Sequence, residues 1–230
     1  MNFKYHLEVK LPKLAWCAVV TRGLNEIHVY HGERVETSEN NFVEGAWDGD
    51  FSDFSFHESI FFMGSGGKLL EYDAKGCLFC TPSHPIERLY STKLGETIMV
   101  SNSLPFILYM SESELDMNYL KYEKDLNSIL KGINNYKKHI PLSNGNKIHL
   151  HYYCNILLND KLELIEQTKK EIQPFSNYFD YKRRLTEALT EFVNNADSPK
   201  RKFTYGKIAT ISKGYDAAAC AAIAREVDCE

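Results

Sequence analysis

No stretch of this chain approaches the roughly 20 consecutive apolar residues that an α-helical membrane span requires. The opening Met1-Asn-Phe-Lys-Tyr-His-Leu also lacks the apolar core of a secretory signal peptide, so residence in the cytoplasm is the expectation. There is no basic run, and the formal net charge is -4, which leaves nothing to attract a nucleic-acid backbone. Only one Cys-x-x-Cys pair occurs, Cys77 and Cys80, with no second pair to complete a zinc site. With Leu78 and Phe79 between them, the two read as strand residues. Absent a secretory leader, the six cysteines are expected to be free thiols.

What is present suits a soluble globular fold. Apolar residues make up 43% and aromatic residues 13% of 230 positions, enough to bury one main domain with a terminal piece. Short strands are predicted over 14–21, 27–31, 59–63, 68–72, 77–81, 88–91 and 97–101, with Gly and Asn between several of them. Met63-Gly-Ser-Gly-Gly67 is glycine-rich, and its expected strand flanks favour a hairpin turn over a phosphate loop.

Helices are predicted over 103–110 and through the stripe Leu115, Tyr119, Tyr122, Leu126, Ile129, Leu130 and Ile133. Strict alternation of Ile148, Leu150, Tyr152, Cys154, Ile156 and Leu158 predicts one long strand, followed across Asn159-Asp160 by a partner over 162–166. His149 and His151 share a face of that strand, read as a partly exposed sheet face. A helix is expected over 175–193 and a polar linker over 194–202.

The closing segment carries the chemistry. Ile208, Ala209 and Ile211 suit a short buried strand, and 217–224 is alanine-rich helix. Between them, Ser212-Lys-Gly-Tyr-Asp216 would stand at a helix N-terminus, where unpaired amides and the helix dipole favour an anion. Gly214 allows close backbone approach, Ser212 adds a hydroxyl and Lys213 a cation. Asp216 either caps the helix or holds a magnesium ion. An ordinary βα turn capped by Asp216 explains the same residues.

Ser212-Lys-Gly-Tyr-Asp-Ala217 resembles the pyrophosphate-binding loop, Ser-Gly-Gly-x-Asp-Ser, of the asparagine synthetase family. Lys213 replaces a glycine of that pattern and Ala217 a serine. Upstream, Gly49-Asp-Phe51 is similar to the family's Gly-Asp-Phe-Ala. Segment 87–108 resembles its strand, Gly hairpin, strand and Ser-started helix, and 129–145 resembles the stretch before its linker.

The resemblance implies an α+β fold: an Ntn-hydrolase-like, glutaminase-type αββα sandwich over 1–170, a helix and linker over 171–204, and over 205–230 the first βα unit of an α/β ATP-pyrophosphatase domain. It implies ATP and Mg2+ as cofactors, with Ser212, Lys213 and Gly214 on phosphate and Asp216 on the metal. Small-molecule carboxylate and amine substrates follow, with no nucleic acid or membrane partner, and a homodimer left open.

Glutaminases of this class use an N-terminal cysteine as nucleophile and its own amine as base. Here Asn2 follows Met1, and none of the six cysteines stands where processing would expose it. No catalytic residue is therefore assigned, as in the β-lactam synthetase type of the same family, which joins amides without glutamine. Ending at Glu230, the chain reads as a fragment-length member, expected to be inactive alone. A non-catalytic binding or scaffold module is the alternative. A surviving amidohydrolase has no Cys/His or Ser/His pairing in the sequence to recommend it.

Overall fold

In a computed structural model, which describes residues 1–70, 76–209, 212–227 and 229, the β-branched and aromatic runs up to residue 168 form thirteen strands among the described residues. In chain order these are β1 (Asn2–Leu7), β2 (Trp16–Thr21), β3 (Glu26–His31), β4 (Glu36–Thr37), β5 (Asn41–Trp47), β6 (Phe62–Leu70) and β7 (Gly76–Cys80). They continue with β8 (Leu89–Leu94), β9 (Thr97–Ser101), β10 (His139–Pro141), β11 (Lys147–His151), β12 (Cys154–Leu158) and β13 (Leu164–Thr168).

They build a seven-stranded sheet ordered β1-β3-β2-β9-β8-β11-β10 and a six-stranded sheet ordered β13-β12-β7-β6-β5-β4. The chain is thus mixed α+β, with two sheets and few helices. Residues 1–44 and 64–169 form one compact unit, residues 45–63 and 170–230 a second.

In the first unit the alternation of each strand sends one set of side chains between the sheets. Trp16, Ala18, Val20, Ile27, Val29, Leu89 and Val100 of the seven-stranded sheet meet Phe42, Phe79, Ile156 and Leu158 of the six-stranded one in a single apolar core. The opposite face of the seven-stranded sheet, with Cys17, Met99, Ile148 and Leu150, is covered by Phe106 and Ile107 of α1 (Leu104–Met110) and by Tyr136 and Tyr152. Helix α1 is started by Ser103, whose hydroxyl accepts from the Phe106 amide.

Several expectations are corrected. The glycine-rich 63–67 is not a hairpin turn but the interior of β6. A Cβ on Gly66 would stand 2.3 Å from the Phe42 carbonyl oxygen, and one on Gly67 2.4 Å from the Phe42 ring, so the glycines serve close packing. The strand expected over 59–63 begins only at Phe62, and that expected over 68–72 is the end of β6; its residues 71–72 lie outside the described residues.

The long strand over 148–158 is two strands in different sheets. Tyr153, at φ +49°, breaks the run, so that Ile148 and Leu150 face α1 while Cys154, Ile156 and Leu158 enter the core between the sheets. The stripe over 115–133 yields only α2 (Tyr122–Leu126) and a 3-10 turn at Ser128–Lys131. Leu115 pairs instead with Leu142 in a β-bridge, and Leu120 and Leu130 are exposed. Cys77 and Cys80 do lie on a strand, β7; three residues apart, they point to opposite faces.

The second unit holds α3 (Tyr178–Ala196), started by Asn177, whose side chain accepts from the Asp180 amide, and α4 (Tyr215–Glu226). Lys182 of α3 reaches Glu226 of α4 at 3.1 Å. An aromatic cluster of Trp47, Phe51, Phe54, Phe56 and Phe62 forms its core.

Of the polar linker expected over 194–202, residues 194–196 end α3, and Asn195 and Arg201 are buried while most of the other residues are exposed. Asn195 donates to the Gly49 carbonyl at 2.7 Å. Arg201 donates to the Asn195 and Gly45 carbonyls at 2.6 and 3.0 Å and stacks its guanidinium 4.3 Å from the Phe51 ring centre.

Candidate functional site

The loop singled out in the sequence precedes α4. Gly214 occupies the N-cap position in extended conformation, and among the described residues no side chain caps the helix, so Asp216 in the first turn is not its cap. The initial amides of α4 are left for another acceptor. The Gly214 amide donates to Ser212 Oγ at 3.3 Å, and the Gly214 carbonyl accepts from the Ala218 amide at 3.3 Å.

Residues 212–216 are all exposed. A Cβ on Gly214 would meet nothing nearer than Ser212 Oγ at 3.5 Å, so the glycine is not demanded by local packing. The strand expected before the loop is absent at 207–209, and 210–211 lie outside the described residues. Open amides, a hydroxyl, a lysine and a carboxylate fit a phosphate with its magnesium ion; a walled cradle is not built around them.

A second site, which the sequence did not suggest, lies in the first unit. A cleft of about 430 Å³ is lined by Glu44, Ser65, Arg88, Tyr90, Asn102 and Ser103, among others. Trp16 Nε1 donates to Ser65 Oγ at 2.9 Å, and Ser65 Oγ donates to Glu44 Oε1 at 2.7 Å. Asn102 Nδ2 lies 3.5 Å from the same oxygen while donating to the Leu14 carbonyl at 2.9 Å.

Glu44 keeps part of its surface open to the cleft, but its carboxyl is enclosed by protein atoms, and this burial pushes it up to about 7. Near neutral pH it can therefore donate or accept a proton. Arg88 is positioned by a 2.7 Å bond to the Leu126 carbonyl and by stacking on Tyr152, and it supplies a fixed positive charge. The arrangement suits a small polar molecule with an anionic end.

A third cluster stands between the sheets of the same unit. His151 Nε2 lies 2.8 Å from Ser91 Oγ, and His151 Nδ1 lies 2.7 Å from Glu166 Oε1. This is a Ser/His/carboxylate order. Ser91 is nevertheless only 2% exposed, in the middle of β8, so its oxygen is closed to a substrate. His151 is buried at 6%, whereas His149 is exposed, so the face that the two share is open at one end only.

Cys154 Sγ joins His151 and Glu166, the ligand atoms of all three lying within 4.8 Å of one another. Burial pushes the Cys154 thiol up to about 12, as it does Cys17 and Cys80, so none of these is a thiolate nucleophile at neutral pH. The sequence hid this grouping because 60 residues separate Ser91 from His151 and the pairing crosses two sheets. The only local signal was alternation of His149 and His151.

Comparison with protein-family models, with curated proteins and with solved structures gives no match for the chain.

Proposed function

We propose that the chain is asparagine synthase-like: a glutaminase-type, Ntn-hydrolase-like sandwich that does not hydrolyse glutamine, followed by the phosphate loop of an ATP-pyrophosphatase-type domain. Its parent activity is ATP-dependent activation of a carboxylate and formation of an amide. The observation that carries this reading is the order of parts along the chain. Two sheets pack over a shared core with helix on the outer face of one, and a polar loop then opens an alanine-rich helix.

Loss of glutaminase activity is supported by the burial of Cys17, Cys77, Cys80 and Cys154. Bound ATP with Mg2+ would supply the adenylyl group and the leaving pyrophosphate. The Ser212 hydroxyl and the first amides of α4 would hold phosphate oxygens, Lys213 would add positive charge, and Asp216 would hold the magnesium ion. Small-molecule carboxylate and amine substrates belong to the same proposal.

A second reading, a non-catalytic binding module, is favoured by the Glu44 and Arg88 cleft, which offers a place for a small anion-bearing molecule.

Assays of glutamine hydrolysis and MgATP binding on the full chain test both. No hydrolysis with saturable MgATP binding is the expected outcome. Turnover that disappears on replacing one Cys or Ser would overturn the glutaminase part, and absence of nucleotide binding would leave the binding-module reading.

A further inference from the structure

The cluster at the open edge of the sandwich uses residues that the proposed function leaves idle. His151 ends β11 in the seven-stranded sheet, while Cys154 and Glu166 sit on paired strands β12 and β13 of the six-stranded sheet. The kink at Tyr152-Tyr153, which carries the chain from one sheet to the other, brings the imidazole and the thiol together three residues apart in sequence. We propose that His151 Nδ1, Cys154 Sγ and Glu166 Oε1 form a binding site for a divalent cation of the zinc class.

The donor set selects that class. One thiolate, one imidazole and one carboxylate are borderline-soft in sum, and three protein ligands with a fourth position open are a common zinc arrangement. Two ligands at zinc bonding distance in a tetrahedron are roughly 3.3 Å apart. His151 Nδ1 and Glu166 Oε1, now 2.7 Å apart, need to separate by only about half an ångström to admit the ion. Glu166 lies on the edge strand and is exposed, which provides an entry path, while His151 and Cys154 are buried.

The surrounding groups are those a ligating histidine needs. Ser91 Oγ holds Nε2 at 2.8 Å, and a hydroxyl can serve either histidine tautomer. Without metal, Nδ1–H donates to Glu166 and Nε2 accepts from Ser91. With metal, the Nδ1 lone pair goes to the ion and Nε2–H donates to Ser91. Lys138 Nζ, 3.1 Å from Glu166 Oε2, keeps the carboxylate turned so that Oε1 faces the ring.

The chemistry balances with no redox partner. The Cys154 S–H bond breaks, its proton leaves to solvent, and the sulfur lone pair forms the bond to the cation. Glu166 contributes a lone pair already available, and the neutral imidazole changes tautomer, losing the Nδ1 proton and gaining one on Nε2, so that its Nδ1 lone pair is freed with no net proton change. A dipositive ion with one thiolate and one carboxylate is neutral overall, which suits the sheltered position.

Cobalt(II) and zinc(II) are the probes, added to the full chain carrying Cys220→Ser and Cys229→Ser, since those two thiols lie outside the sheets and would confuse the signal. One equivalent of cobalt should give a thiolate-to-cobalt charge-transfer band, abolished by excess zinc and by Cys154→Ser, with one proton released per ion bound. Ser91→Ala should weaken zinc by about 10–100-fold. Glu166→Gln, at an exposed position where the fold should tolerate it, should weaken zinc at least as much. No charge-transfer band, a band that survives Cys154→Ser, or zinc affinity unchanged by Glu166→Gln would overturn the site. ATP binding and glutamine hydrolysis are read separately and do not decide it.

Discussion

Ser91 Oγ and His151 Nε2 stand 2.8 Å apart in the core of the first unit, and the other nitrogen of the same ring stands 2.7 Å from Glu166 Oε1. One imidazole thereby joins the seven-stranded sheet to the edge of the six-stranded one. Because Ser91 and His151 are buried, this chain of bonds is a structural tie before it is anything else.

That tie gives stability a definite acid limb. Its bond to His151, reinforced by Lys138, holds the Glu166 carboxyl down to about 2, below the ordinary value of about 4.3. A carboxyl whose folded pKa is lowered contributes stability above the ordinary value and loses it as pH falls toward the folded one. Glu166→Gln should therefore cost about 1 kcal/mol near neutrality, small because the side chain is partly solvated. It should also flatten the loss of stability between about pH 4.3 and 2, as urea unfolding across that range would show.

Glu44 has the opposite sign. Its folded pKa is raised to about 7 by burial, so the unfolded chain gives up this proton first, and stability declines as pH rises from about 4.3 to 7. Glu44→Gln keeps the hydrogen bond from Ser65 without the buried charge. It should remove that decline, so that the variant's stability relative to the parent chain is greater at neutral pH than in acid. Thermal unfolding at the two ends of the window checks it.

Gly66→Ala tests the reassignment of the glycine-rich segment. In a hairpin turn an alanine would cost little. Within β6 its Cβ would press on the Phe42 carbonyl at 2.3 Å, and a backbone atom cannot rotate away. A loss of about 1–3 kcal/mol, measured by denaturant unfolding, is expected.

In the second unit, Arg201→Met removes a buried guanidinium that donates to two backbone carbonyls and stacks on Phe51. The freed carbonyls of Asn195 and Gly45 lose those donors, so a cost on the order of 3 kcal/mol is expected. A polar linker would have shown a change within a few tenths.

Periodicity made much of the architecture legible. The strands about Val19, Val29, Phe79 and Met99 could be read from alternating apolar residues and their turns, as could helix α3 from Tyr181, Leu185, Leu189 and Phe192. What alternation could not show is which sheet a strand joins. Tyr153 takes a left-handed conformation without being glycine, so nothing local marked the crossing from β11 to β12.

The stripe from Leu115 to Ile133 failed because tertiary pairing of Leu115 with Leu142 outweighed helical propensity. Of the candidate sites, only the loop at Ser212 to Asp216 was visible as a contiguous pattern. The clusters at Glu44 and at His151 are built from distant residues brought together by sheet pairing, and Arg201 read as a linker residue for the same reason.

The proposed function rests on nucleotide phosphate at the start of α4, and calorimetric titration of MgATP into the full chain tests it most directly. Saturable one-to-one binding is expected, weakened about tenfold by Lys213→Ala, equivalent to about 1.4 kcal/mol, and made independent of magnesium by Asp216→Asn. No binding heat at millimolar nucleotide, or binding that Lys213→Ala and Asp216→Asn both leave unchanged, would contradict the account.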